Sequence, residues 1–182
     1  MAVIRILQFP DVRLKASARK VDNFEDPKFQ QIVDDMFETH YASANCAALA
    51  ATQLDLIDPP HVTVIDFSPA KDQPLCLVNG EVIEGSGEHT EEEGCMSVGC
   101  DLGVGVWEKV TRPEKIKVRA HDRHGKLLEF EADGFMAKCI QHELDHLNGK
   151  IFLDHLSKLK RLRLEKKLDK LKRLKKLNEQ DS

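Results

Sequence analysis

No run of apolar residues in this 182-residue chain approaches the ~20 needed to cross a bilayer, so no transmembrane segment is expected. The opening, MAVIRILQFPDVRLK, also lacks the long apolar stretch of a signal peptide, because Arg5 and Pro10 interrupt it. The expected compartment is the cytoplasm. Cysteine is scarce and odd in number: five thiols, at 46, 76, 95, 100 and 139, suit metal or thiol chemistry in a reducing compartment better than a disulfide framework. There is no internal repeat, and no low-complexity linker interrupts the chain before its tail. The length is that of about one domain.

What is present is a core and a charged cover. Hydrophobic residues make up 41% and charged residues 32% of the chain, which excludes both disorder and a collagen-like fibre. The net charge of -4 hides an asymmetry. From residue 156 onward eleven Lys and Arg face four Asp and Glu, giving the tail +7 and leaving -11 on the first 155 residues.

Asp26-Pro27 reads as an N-cap followed by a first-turn proline, and Phe29, Ile32, Val33, Met36 and Phe37 recur at helical spacing. This predicts a helix over 26–43. The segments 61–67, 74–85, 115–122 and 126–132 read as strands, the last two as a hairpin around His124-Gly125. Four glycines in 94–107 favour irregular strands and turns there. A second helix is expected to start at Asp133 and stop at Asn148-Gly149. Strands followed by a helix, without regular βαβ alternation, predict an α+β fold with mostly antiparallel sheets around that central helix.

On the second helix lies His142-Glu143-Leu144-Asp145-His146, an HExxH motif. Residues four apart share a helix face, so both imidazoles can reach one cation while Glu143 approaches a water beside it. Composition alone predicts only about 0.03 chance matches in this chain. A catalytic site of this kind needs a third protein ligand and an open position. A metzincin would place a third His where Phe152 stands, and His155 lies three residues too far. Glu165 sits among lysines, where a solvated partner role is simpler. Cys95, following Gly94, is the better candidate, since its thiolate beside two imidazoles suits a borderline-soft cation. Cys139, one turn before His142, reads as a small core residue lining the site, and Cys76 as a core residue of its strand. Asp145 is open between orienting a ligand and facing solvent.

LAATQ (49–53), EGCMS (93–97) and HELDH (142–146) together resemble the three motifs of the peptide deformylases, in order and separation. The likeness extends from FPDVRLK through the tail. It implies Cys95, His142 and His146 as metal ligands, ferrous iron as the physiological metal with zinc or nickel as alternatives, and Glu143 as general acid and base. It also implies Gln53 and the backbone N–H of Met96 as oxyanion donors. The substrate pocket it implies is walled by Ala48, Glu91, Glu93, Phe135, Lys138 and Cys139. The expected reaction is hydrolysis of the N-terminal formyl group of nascent polypeptides, giving formate and a free N-terminus.

Three departures accompany the resemblance. Where the family usually has glycine, apolar, glycine, this chain has Cys46, Ala47 and Ala48, whose methyl groups narrow the approach to substrate. After EGCMS the connection VGCDLGVGVWEKVTRPEK is several residues longer. Lys138 and Glu91 replace usually apolar wall positions, and Lys138 either extends into solvent or pairs with an acid of the 91–93 run. An altered preference for the first side chain follows.

In the tail, Leu156, Leu159, Leu162, Leu164, Leu168, Leu171, Leu174 and Leu177 are interspersed with Lys and Arg without Pro or Gly. A helix is expected, packed on its own domain or on a second copy, or else contacting phosphates; the resemblance favours the ribosome. The tail has no aromatics to stack on bases, and DNA is not an expected partner. Residues 1–155 are thus expected to form the catalytic domain and 156–182 a basic helical tail. Two other readings stay open: a zinc endopeptidase, and a ribosome- or RNA-binding protein on a deformylase scaffold with weak or no catalysis.

Overall fold

The carboxylate of Asp26 accepts a hydrogen bond from the N–H of Lys28, and Pro27 opens helix α1, Pro27–Ala42, which buries Phe29, Val33 and Met36. The computed structural model describes residues 2–180. Seven strands follow in two antiparallel sheets. β1 (Ala48–Ala50), β2 (Val62–Ile65), β3 (Leu75–Ser86), β6 (Lys115–His121) and β7 (Leu127–Asp133) form a sheet in the order β1-β2-β3-β6-β7. β4 (His89–Glu93) and β5 (Glu108–Arg112) pair separately as a two-stranded ribbon.

The large sheet carries a helix on each face at its β1-β2-β3 end. Ala48, Ala50, Ile65 and Leu77 cluster with Ile140, Leu144 and Leu147 of α2 (Gly134–Leu147). Their alternate neighbours Leu49, Val62, Val64 and Val78 cluster with Phe29, Val33 and Met36 of α1. Strand alternation therefore sorts the two sets, and β1 and β2 are buried throughout. Small alanines on the α2 side of β1 let that helix approach the sheet. Asn148 caps the C-terminus of α2, and Gly149 follows with φ of 73°. A Cβ there would lie 2.5 Å from the carbonyl oxygen of Lys15, so the stop demands glycine.

The predicted α+β class, the strands β2 and β3, the β6–β7 hairpin and both helices have their counterparts here, within a few residues. β1 and the β4–β5 ribbon were not predicted. HTEEE has no apolar alternation to signal a strand. The glycine-rich stretch 94–107 is irregular as expected, with a short 3-10 turn at Cys100–Leu102. The tail forms helix α3, Lys158–Gln180, and the last two tail residues lie outside the described residues. Leu164 and Leu168 are buried in a cluster with Leu7, Val98, Val106 and Ile151, so α3 packs on its own domain. Among the described residues no helix is long and apolar enough to cross a membrane.

Candidate metal centre

His142 and His146 lie one turn apart on the buried face of α2, their ring centroids 4.9 Å apart. Cys95 comes from the turn after β4, and Ser97 N–H and Gln53 Nε2 approach its Sγ at 3.4 and 3.5 Å. The sulfur stands 3.1 Å from Nε2 of His146, and the two Nε2 atoms stand 3.2 Å apart. The three donor atoms lie within 4.8 Å of one another. Donor atoms of a tetrahedral site with imidazole and thiolate ligands sit about 3.3–3.6 Å apart, so this spacing fits one cation.

The electrostatics agree. Burial depresses His146 well below its ordinary range, keeping it in the neutral, ligating form. Burial also opposes charge on His142, yet Cys95 and Glu93 outweigh it and drive this imidazole upward. The local field thus favours positive charge between these side chains. Glu93 Oε2 lies 3.1 Å from Nδ1 of His142. With that nitrogen engaged as a donor to the carboxylate, Nε2 is left facing Cys95 and His146.

Glu143 is buried, and its Oε2 has no hydrogen-bond partner among the described residues. Burial raises its carboxyl to about 7, against the lowering pull of His142. Such a group can take and return a proton near neutrality. Gln53 is fixed at its other end: Oε1 accepts the N–H of Ala50 at 2.9 Å, which turns Nε2 toward Cys95 and Ser97. The Met96 carbonyl accepts Nε2 of Gln8 at 2.8 Å, which anchors the Met96–Ser97 peptide group just past Cys95.

These groups meet in a cleft of about 670 Å³ whose lining includes Ala48, Gln53, Glu93, Cys95, Met96, Phe135, Lys138, Cys139, His142 and Glu143. Glu91 is the exception among the expected pocket residues. It lines a separate small hollow beside the cleft, on the same face of β4 as Glu93 but nearer the strand's exposed start. Lys138 does not extend freely into solvent: it pairs with Glu91, and its ammonium lies 5.0 Å above the Phe135 ring. Glu93, expected as a wall, is also the carboxylate that holds His142. Cys46 is buried on the α1 side and its thiol is pushed up to about 12 by burial. Cys76 is only partly buried, against the same cluster. Cys100 is exposed at the cleft.

Sequence reasoning missed Arg112. This buried guanidinium donates Nε and Nη2 to Glu93 at 2.6 and 3.0 Å and Nη1 to Asp145 at 2.8 Å. Burial alone would raise both acids, but His142 and Arg112 bring Glu93 to about 2, and His155 and Arg112 do the same for Asp145. Asp145 is therefore ion-paired rather than freely solvated, though its side chain stays 19% exposed. Trp107 was also missed. It is 63% exposed at the cleft edge, packed where Gly94 leaves room for its ring. Neither residue belongs to a motif.

A family model described as polypeptide deformylase matches residues 3–162. The chain belongs to this family. It is 70% identical over 166 residues to peptide deformylase 1 of Coxiella burnetii, covering 91% of this chain and 95% of that protein. A peptide deformylase of Chromobacterium violaceum is 48% identical, with 92% and 95% covered. Among solved structures, a peptide deformylase from Legionella pneumophila superposes with a TM-score of 0.84 at 42% identity, covering 96% and 98% of the two chains. The Ehrlichia chaffeensis peptide deformylase in complex with actinonin gives 0.81 at 33% identity, with 93% and 98% covered. The charged pair Lys138–Glu91 and the exposed Trp107 stand at the rim of this cleft.

Proposed function

We infer that this chain is a metal-dependent hydrolase that removes the N-terminal formyl group from nascent polypeptides, releasing formate and a free N-terminus. The observation that carries this is the carboxylate oxygen of Glu143, without a partner among the described residues, in a cleft also lined by Cys95 and His142, whose ligand atoms converge with that of His146 behind them. Cys95, His142 and His146 hold the cation. The proposed metal is ferrous iron, with zinc or nickel as alternatives, because a thiolate and two imidazoles suit borderline-soft divalent ions. When bound, such an ion acidifies water and polarises a carbonyl.

The chain's own groups do the rest. Glu143 accepts the proton of the attacking water and passes it to the departing amine, a task suited to a carboxyl near 7. Gln53, held by the Ala50 N–H, donates from Nε2 to the developing oxyanion, and the Met96 N–H supplies a second donor. Phe135, Cys139 and the stem of Lys138 border the space for the first side chain, with Ala48 at its base and Glu91 bridged to its lip through Lys138. The reaction is proposed for the cytoplasm, where new chains emerge.

Residues 1–155 form the proposed catalytic domain and 156–182 a basic tail whose exposed cations are proposed to contact ribosomal phosphates. Charge supports this: Lys166, Lys170 and Arg173 are exposed on the helix side away from Leu164 and Leu168.

Anaerobic purification with metal analysis, then formate release from formyl-Met peptides, tests the hydrolase. Glu143→Ala should lower turnover by about 10²–10⁴-fold, the usual worth of a positioned acid-base group. Cleavage of internal peptide bonds without formate release would select an endopeptidase instead. Ribosome binding by a chain without formyl-peptide turnover would select the binding protein.

A further inference from the structure

The short turn that follows α2, Phe152–His155, reaches the metal centre along two routes. The ring of Phe152 is buried and stacks on His142, with centroids 6.2 Å apart and planes at 27°. His155, at the other end of the turn, faces away from the cleft, into a hollow on the far side of α2. Its Nε2 lies 2.7 Å from Oδ2 of Asp145. The turn is itself pinned, because Asp154 accepts the N–H of Ile151 at 2.9 Å.

From Asp145 the contacts run inward without a gap. The same Oδ2 accepts Arg112 Nη1, Arg112 grips Glu93 with two further N–H groups, and Glu93 accepts from Nδ1 of His142. Arg112 thus serves two carboxylates, Glu93 buried and Asp145 partly buried, with one positive charge. Asp145 has a second donor, His155. Remove it, and Asp145 leans on the guanidinium alone, competing with Glu93 for the same fork. Glu93 then holds Nδ1 of His142 less firmly, and the direction of Nε2 is less fixed.

We propose that His155 is a positioning residue for the ligand His142, acting through Asp145, Arg112 and Glu93 from the surface opposite the cleft. The proposal rests on the reading of Cys95, His142 and His146 as metal ligands. Its role is to keep Arg112 shared between two acids, so that the cation is held by a pre-aimed imidazole. His155 touches neither substrate nor cleft.

The test is the rate at which zinc-loaded protein gives up its metal to a chelator, compared for wild type, His155→Ala and His155→Gln. Loss of a group bonded directly to a ligand commonly costs 10–100-fold in metal affinity, so one three contacts removed should speed release by about three- to tenfold. Gln places an N–H donor close to where Nε2 stood, and His155→Gln should release zinc within about twofold of wild type. Measurements are made well below the melting transition of each variant, so release does not follow unfolding. Wild-type rates in His155→Ala, or equally fast release from both variants, would overturn the role of His155. A wild-type protein that holds zinc no better than a Cys95→Ala variant would instead strike the ligand set, and the proposal with it.

Discussion

The two ends of helix α2 face opposite demands. Over residues 142–146 the candidate ligand side chains are buried, and His142 is hydrogen-bonded into a network that reaches Glu93, Arg112 and Asp145. Over residues 134–138 the same helix presents Phe135, 47% exposed, and Lys138, whose ammonium rests against Glu91 at the cleft lip. One end holds the proposed reacting groups by packing and paired charge. The other carries a half-exposed ring and a charged pair at the entrance. The proposed chemistry thus sits where solvent is excluded, and the proposed selection of what enters sits where it is not.

The largest effect should come from breaking the buried end. Arg112→Met leaves Glu93 and Asp145 without the cation that keeps both carboxylates ionised in the interior. Removing one partner of a buried pair costs about 3–5 kcal/mol, because an uncompensated charge is left behind. Denaturant unfolding should show a loss of that size, with reduced metal content, and adding Glu93→Gln should recover part of it. A stability within 1 kcal/mol of wild type would mean that the network is peripheral to the fold.

That network is also where sequence reading fell short. HExxH could be read because its geometry is local: four residues make one helical turn. The Asp26-Pro27 start and the Asn148-Gly149 stop were legible for the same reason. Glu93 and His142, by contrast, lie 49 positions apart, and Arg112 and Asp145 lie 33 apart. No periodicity joins them. The ribbon that carries Glu93 and Arg112 was invisible too, because HTEEE signals no strand and owes its pairing to EKVTR. The expectation that Cys95 is a ligand came through the EGCMS motif, whereas the orientation of Glu93 toward His142 needed the β4–β5 pairing. The tail was legible as a helix but not as to which leucines it buries. Residues three apart turn 300°, so the leucine row winds around the axis, and within α3, among the described residues, it is Leu164 and Leu168, four apart, that are buried against the domain.

An intermediate effect separates the packed part of α3 from its free end. Leu168→Ala should cost about 2–3 kcal/mol by opening a cavity beneath the helix, while Leu174→Ala, half exposed, should stay within about 0.5 kcal/mol. Reversing the charges of Lys166, Lys170 and Arg173 should leave the melting temperature unchanged and weaken ribosome binding in a salt-dependent way, each lost phosphate contact lowering the salt slope by about 1. Binding that ignores both salt and these reversals would leave α3 with its packing role alone.

The smallest effect belongs to the lip. Lys138 and Glu91 form an exposed pair, and His89 lies 2.9 Å from the same acid, so the fold gains little from it and should not notice its removal. Substrate choice should notice. Replacing both by Ile exchanges a charged rim for an apolar wall beside Phe135, and kcat/KM for formyl-Met over charged first residues should rise by about three- to tenfold, within the range that small changes in an apolar pocket allow. Lys138→Ile alone should shift preference less, since Glu91 keeps its charge near the entrance. An unchanged preference in the double variant would place selection deeper, at Ala48 and Cys139, and would return the two ends of α2 to a single function.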